Sequence, residues 1–306
     1  VTPHLQRVWD DVQARHRPFL AGINEAREVD PQRFAELAEM SLDWLVQVSG
    51  PDVIPVAVDA FVEFTTAVNL AQARYEQTGR YEHRSYAELY ASQYSRDDQM
   101  QTYLWGSYLT NFLWGHHVEI WLQFDDRFAK RLPADAEIVE LGSGHGWWGA
   151  LALRRASGAR LRGFDVSGQA IQIAESMARA AGVAERATYA QLDALALDQP
   201  AVNPADACIC CFLVEHLEEP DRLFAVISGL LRPGGRAFVT GALTAPHTDH
   251  IAEFRRESEL VLLAEAQGLR VVESFSANPK RLLRKARFIP RSMAMILEQP
   301  RTGLAR

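Results

Sequence analysis

Residues Glu137 to Gly149 read EIVELGSGHGWWG: five residues of strand character run straight into Gly142, Gly144 and Gly146, with Gly149 three residues on. A glycine turn in that place opens a helix and lets the backbone pass close to a ligand, because glycine accepts positive φ and has no Cβ to fill the gap. Such a turn belongs to a sheet built from strand–helix–strand units. Two registers coexist in it. Counted from Gly142, the loop is GxGxG; counted from Gly144, it is GxGxxG (Gly144, Gly146, Gly149), the pattern of nicotinamide and flavin dinucleotide sites. The strand ends at Leu141, which favours Gly142 as the first glycine; the third-glycine position of a Rossmann site then falls on Trp147, where close packing is wanted.

The rhythm of the chain changes near residue 128. Beyond Leu132-Pro133, seven β-rich runs (EIVEL, RLRGFDV, ATYAQL, DACICCFLV, RAFVTGAL, RVVESF, SMAMILEQ) alternate with helical patterns such as GQAIQIAESMARAAG. Strands separated by helices pair mainly in parallel and are covered on both faces, so an α/β doubly wound sheet of seven strands is expected. From Val1 to Phe128 the chain reads as helical. Pro31 suits the start of a helix carrying Phe34, Leu37, Leu42, Leu45 and Val48. A second apolar segment ends near Gly79, and the aromatic stretch MQTYLWGSYLTNFLWGHHVEIWLQF is interrupted at Gly106 and Gly115. Two domains are expected: residues 1–128, all-α, as a substrate cap or oligomerisation unit, and residues 129–306, Rossmann-like.

The motifs of the second half come in the order that class I S-adenosylmethionine-dependent methyltransferases show, and Ala136 to Pro300 resembles that family. VELGSGHG is similar to its first motif, with Glu140 ahead of Gly142, Ser143, Gly144 and Gly146. GFDVSGQAIQIAE resembles the second, which implies that Asp165, followed by Val166, holds the ribose hydroxyls. QLDALAL is similar to the segment in which Asp193 and Ala194 flank the adenine. DACICCFLVEHLEEPDRLF resembles the fourth-strand motif, with Phe212 and Leu213 beside the cofactor and E-H-L following; LLRPGGRAFVT carries the Pro-Gly-Gly turn before the fifth strand.

The resemblance implies S-adenosylmethionine as cofactor, S-adenosylhomocysteine as product, and methyl transfer to an O, N or C nucleophile of a small molecule, aromatic or heterocyclic. Asp165 alone does not discriminate, since a dinucleotide site also has an acid about 20 residues after its glycines. An NAD(P)-dependent oxidoreductase on the Gly144 register therefore stays open, as does a non-catalytic cofactor-binding scaffold. The Pro-Gly-Gly and E-H-L elements do not fit the oxidoreductase.

Methyl transfer needs a general base only when the nucleophile arrives protonated. His216 is the first candidate for that base or for a supporting residue, because ligands of open α/β sheets gather at the carboxyl ends of strands. His247 and His250, in the APHTDH loop after the fifth strand, are weaker candidates, with Asp249 between them. Two histidines and an aspartate in one loop do not complete a metal site, and no metal is expected. In the helical half, Tyr103, Trp105, Tyr108, Trp114, His116 and His117 lie nearest the sheet domain. Aromatic rings with polar tips suit a flat or cationic acceptor, while helical spacing equally suits a core; one or two of the six are expected to touch the acceptor.

A net charge of -7 argues against DNA as a partner, and no N/D-P-P-Y/F tetrapeptide follows the fourth strand, so RNA is not favoured despite the basic run PKRLLRKARFIPR. No unbroken run of about twenty apolar residues marks a membrane span, and VTPHLQRVWDDVQARHR lacks the apolar core of a secretory signal. The three cysteines, Cys208, Cys210 and Cys211, crowd one apolar run and fit no disulfide framework. A cytoplasmic protein with a small-molecule partner is expected, with homo-oligomerisation open to the N-terminal helices.

Overall fold

Local signals set the helix ends of the first half. Asp30 accepts a hydrogen bond from the Arg33 N–H at 3.1 Å and Pro31 takes the first helical position, so a helix starts there and stops at Gly50. The computed structural model describes residues 3–82, 85–197, 203–282 and 285–301. Within them, α1 (Pro3–Arg15), α2 (Leu20–Val29), α3 (Pro31–Ser49), α4 (Val53–Thr78), α5 (Tyr86–Leu89), α6 (Asp97–Leu113) and α7 (Gly115–Gln123) precede the first strand. Gly106 does not interrupt α6. A Cβ there would lie 2.8 Å from the Ala60 carbonyl oxygen and from Phe64 Cβ, so Gly106 is the point at which α6 crosses α4 in close contact.

The sheet has seven strands in the order β3-β2-β1-β4-β5-β7-β6. They are β1 (Glu137–Leu141), β2 (Arg160–Asp165), β3 (Ala187–Gln191), β4 (Ala205–Cys210), β5 (Leu231–Leu243), β6 (Arg270–Ala277) and β7 (Arg291–Glu298). β1 to β5 pair in parallel, while β7 runs antiparallel to both β5 and β6. Helices α8 (Trp147–Arg155), α9 (Gly168–Ala180), α10 (Pro220–Leu230) and α11 (Glu257–Ala266) connect them. The expected doubly wound sheet is the one observed.

Alternation along β1 sends Ile138 into one core and Val139 and Leu141 into the other. The second core lies under α10 and α11. The first is shared: Trp147, Ile173 and Met177 of the sheet's own helices pack with Phe34, Leu42, Phe61 and Tyr108 of the N-terminal helices. The helical half thus covers one face of the sheet. α4 is long and apolar enough, by length and composition alone, to cross a membrane, a test that core helices also pass. Its polar Asp59 and Glu63 had broken the apolar run; here it packs against α1, α3 and α6.

One buried charge pins the halves together. Asp125, with its side chain 4% exposed, takes Arg33 of α3 at 2.6 Å, Arg155 at the end of α8 at 2.5 Å, and Lys130 at 3.0 Å. Removing the carboxylate would leave Arg155 without an acidic partner among the described residues, while Arg33 and Lys130 keep Asp126 at 2.8 and 2.6 Å. Asp125→Ala is expected to cost about 2–3 kcal/mol, below the range for a fully buried pair because the cations are partly solvated. The urea unfolding midpoint measures it.

Candidate active site

The carboxyl ends of β1, β2 and β4 open onto a cavity of about 760 Å³, walled by α2, α4, α6 and α7 and by the chain between β6 and β7. The strand order reverses between β2-β1 and β4-β5, so the cavity sits at the topological switch point of the sheet. At its sheet end, Gly142, Ser143 and Gly144 line the wall with Asp165, Val166, Asp193, Ala194, Phe212 and Leu213. Gly142 has φ 65°, and a Cβ there would meet Leu213 at 3.1 Å. Only glycine combines that turn with that approach.

Asp165 does two things. Its Oδ2 accepts from the Gly144 N–H at 2.8 Å and its Oδ1 from the Ser167 N–H at 2.9 Å, which fixes the loop's shape while each oxygen keeps a lone pair. Burial pushes its carboxyl up, against those backbone donors. Asp193 caps a short turn through the Leu195 N–H at 2.9 Å. Ser143 Oγ is buried with no hydrogen-bond partner among the described residues, a polar atom in the cavity wall left for a ligand.

Two residues expected at the cofactor stand elsewhere. Glu140 is turned beneath α8, where its Oε1 accepts from the Gly149 N–H at 2.9 Å, and it does not line the cavity. Gly146, at φ 71°, starts α8 and packs on Ala174, where a Cβ would come within 3.0 Å. The close helix-to-strand packing of a Rossmann turn falls to Gly149, whose Cβ would lie 2.6 Å from Leu161; Trp147 points the other way, its Nε1–H donating to Ser41 Oγ at 2.9 Å.

Burial raises the Glu140 carboxyl to about 8. The folded state therefore holds a proton that the unfolded chain has released above its ordinary value of 4.5, and stability falls as pH rises from there through 8. Glu140→Gln keeps an acceptor for Gly149 and removes this dependence. Its melting temperature is expected to exceed wild type at pH 9 and to match it near pH 5, measured by thermal scans across that range.

At the far end of the cavity, two loops bring histidines together. A 3₁₀ turn after β4 (Val214–His216) carries Glu215 and His216; the loop after β5 carries His247, Asp249 and His250. The Ile251 and Ala252 N–H groups both donate to the Glu215 carbonyl, at 2.8 and 2.9 Å, and hold the loops in contact. Asp249 is fully buried and its Oδ1 pairs with His247 Nδ1. His216 Nδ1 lies 3.1 Å from the Asp249 carbonyl oxygen and 3.1 Å from the Tyr94 hydroxyl, which in turn reaches Asp249 Oδ2 at 3.4 Å. Burial would raise the Asp249 carboxyl, but the imidazoles of His247 and His216 beside it hold it well below the usual range. Burial lowers His250 to about 3 and raises Glu215 to about 7.

Of the aromatic residues singled out in the helical half, Tyr103, Trp114, His116 and His117 line the cavity; Tyr103 is hydrogen-bonded to Asp249, and His117 stacks on Phe212 at 4.7 Å. Tyr108 and Trp105 do not. Tyr108 is a core residue, its hydroxyl donating to the Ser41 carbonyl at 2.8 Å. His145, in the glycine loop, is buried between Asn111 and Tyr108, and burial lowers it to about 3. Tyr86, Tyr94, Phe64 and Glu215 also line the site and were not anticipated. The cluster of seven tyrosines between residues 75 and 108 was the signal available for Tyr86 and Tyr94, and the E-H-L tripeptide the one for Glu215; Phe64 had none.

Residues 138–235 match the family model described as a methyltransferase domain. The ubiquinone biosynthesis O-methyltransferase of Cupriavidus pinatubonensis is 31% identical over 107 residues, 35% of this chain and 41% of that protein. The Burkholderia thailandensis protein of the same name is 29% identical over 156 residues, 44% of this chain and 65% of its own. The chain therefore spans less than two thirds of the length of these curated relatives. Among solved structures, an O-methyltransferase family protein from Burkholderia thailandensis superposes with a TM-score of 0.55 at 12% identity, covering 83% of this chain and 74% of that one. The [4+2]-cyclase SpnF superposes at 0.50 and 16% identity, covering 61% and 83%. At these identities the structures share the fold, which by itself selects no reaction.

Proposed function

We propose, for a chain whose residues 138–235 match a methyltransferase-domain family model, that it is a class I S-adenosylmethionine-dependent methyltransferase that transfers the methyl group of that cofactor to a hydroxyl of a small aromatic or heterocyclic molecule in the cytoplasm. The observation that carries the reading is the continuity of one cavity from Ser143, Asp165 and Asp193 to the His247–Asp249 pair. The residues present fit the cofactor. Asp165 offers the free lone pairs of its two oxygens to the ribose hydroxyls, Asp193 an oxygen to the adenine amine, and Ser143 its unpaired hydroxyl. The cofactor supplies an activated methyl on sulfur, so the protein's work is alignment, exclusion of water and removal of a proton.

His247 suits the last task better than His216. Its Nδ1 is fixed by the buried Asp249 carboxylate, which leaves Nε2 as the acceptor and steadies the cation formed on protonation. Phe64 stacks on its ring at 4.8 Å and holds it in place. The helical residues 1–128 act as the cap that selects the acceptor, through Tyr103, Trp114, His116 and His117. Calorimetric titration with S-adenosylmethionine, S-adenosylhomocysteine and NADH tests the reading. Saturable binding of the first two alone is expected; binding of NADH alone would return the glycine loop to a dinucleotide.

A further inference from the structure

The second task left to this site concerns residues that the proposed methyl transfer does not use. Glu215 is 1% exposed and lines the cavity; no side chain among the described residues hydrogen-bonds to its carboxylate oxygens, which are approached only by the backbone N–H groups of Glu215 itself and Ala242. A buried carboxylate so sparsely met is costly unless a cation or a further donor arrives to meet it. Beside it, Glu215, His216 and His250 each bring one ligand atom to within 4.8 Å of the other two.

The imidazoles are set in the tautomer that a metal requires. His250 Nδ1 stands 2.7 Å from the Ala245 carbonyl oxygen and His216 Nδ1 stands 3.1 Å from that of Asp249. A carbonyl only accepts, so each Nδ1 carries the proton and each Nε2 keeps a lone pair. Metal-ligating histidines are oriented in this way, by donating their other N–H to a backbone carbonyl or carboxylate. The paired backbone bonds from Ile251 and Ala252 to Glu215 hold the two ligand-bearing loops in register before any ion arrives.

We propose that Glu215, His216 and His250 form a binding site for a zinc-type divalent transition-metal ion, which takes an oxygen of the acceptor molecule into its open coordination positions. Two imidazoles and one carboxylate suit zinc and its first-row neighbours rather than magnesium or calcium, which ask for oxygen ligands throughout. Sequence spacing hid the set: the loop after β5 holds His247, Asp249 and His250 close together, but His247 Nδ1 and Asp249 Oδ1 are already paired with each other, and Glu215 and His216 are supplied from 34 or more positions before His250, after β4. The acceptor's contact with the ion depends on the methyl-transfer reading, whereas the ion's binding does not.

The test uses the untagged full chain, stripped with a chelator and titrated with Co²⁺ followed by visible absorption, with Zn²⁺ competing and bound metal counted by mass spectrometry. One ion per chain is expected, and Glu215→Gln and His250→Ala should each weaken binding by about 100-fold or more. Glu215→Gln preserves shape and decides the matter if His250→Ala does not fold. No Co²⁺ or Zn²⁺ binding by the wild type, or wild-type binding by a folded variant, overturns the site. A parallel S-adenosylmethionine titration of the stripped protein separates the two readings: cofactor binding without metal binding defeats only the ion, and metal binding without cofactor binding defeats only the methyl transfer.

Discussion

Asp165→Ala is expected to raise the dissociation constant for S-adenosylmethionine by at least about 100-fold, because two hydrogen bonds from ribose hydroxyls to a charged acceptor contribute roughly 1.5–3 kcal/mol each. Part of the loss is indirect. The same carboxylate holds the Gly144 and Ser167 N–H groups, so alanine also frees the glycine loop that shapes the site. Asp165→Asn separates the contributions: its amide oxygen still accepts one backbone N–H, and the charge is gone. If the ribose contact dominates, Asn loses nearly as much affinity as Ala while its melting temperature stays closer to wild type. Calorimetry and thermal scans on both variants read this directly, and unchanged affinity in a folded Asp165→Ala protein would remove the assignment.

His247→Ala should lower the turnover number by about 10²–10⁴, the usual contribution of a positioned general base, while leaving S-adenosylmethionine affinity near wild type. The split matters, because His247 lines the far end of the cavity and the residues proposed to hold the cofactor lie on the loops after β1, β2 and β3. Asp249→Asn should lose a similar factor. An amide gives the imidazolium no charge and can hold the wrong tautomer, the reasoning that applies to the orienting aspartate of a catalytic triad. Turnover at wild-type level in His247→Ala, with acceptor saturating, would place proton removal elsewhere in the cluster. A fall in cofactor affinity to match the fall in turnover would mark His247 as structural.

Much of the sheet end of the cavity was legible in the linear chain because its geometry is local. A strand end, a turn and a helix start are adjacent residues, so Gly142, Ser143 and Gly144 announce themselves by spacing, and Asp165 and Asp193 by standing at the ends of the next two strands. The same locality misplaced Glu140 and Gly146. Both sit inside the motif, but backbone direction turns Glu140 under α8 and Gly146 onto α9, and a motif does not record where a side chain points. Tyr108 illustrates the matching ambiguity in helices: it and Tyr103 lie on the same aromatic segment, and only the packing of α6 on α3 and α9 sends one into the core and the other into the cavity.

What the amino-acid order alone determined was the doubly wound sheet, the helical first half and the glycine loop with its two acids, since each follows from periodicity or from neighbours in the chain. What only the tertiary structure decided was the far end of the site. Glu215 and His216 meet His247, Asp249 and His250 because β4 and β5 are parallel neighbours whose carboxyl ends release their loops side by side. No spacing rule reports that meeting, since the distance that matters there is the one between adjacent strands and not the one along the chain.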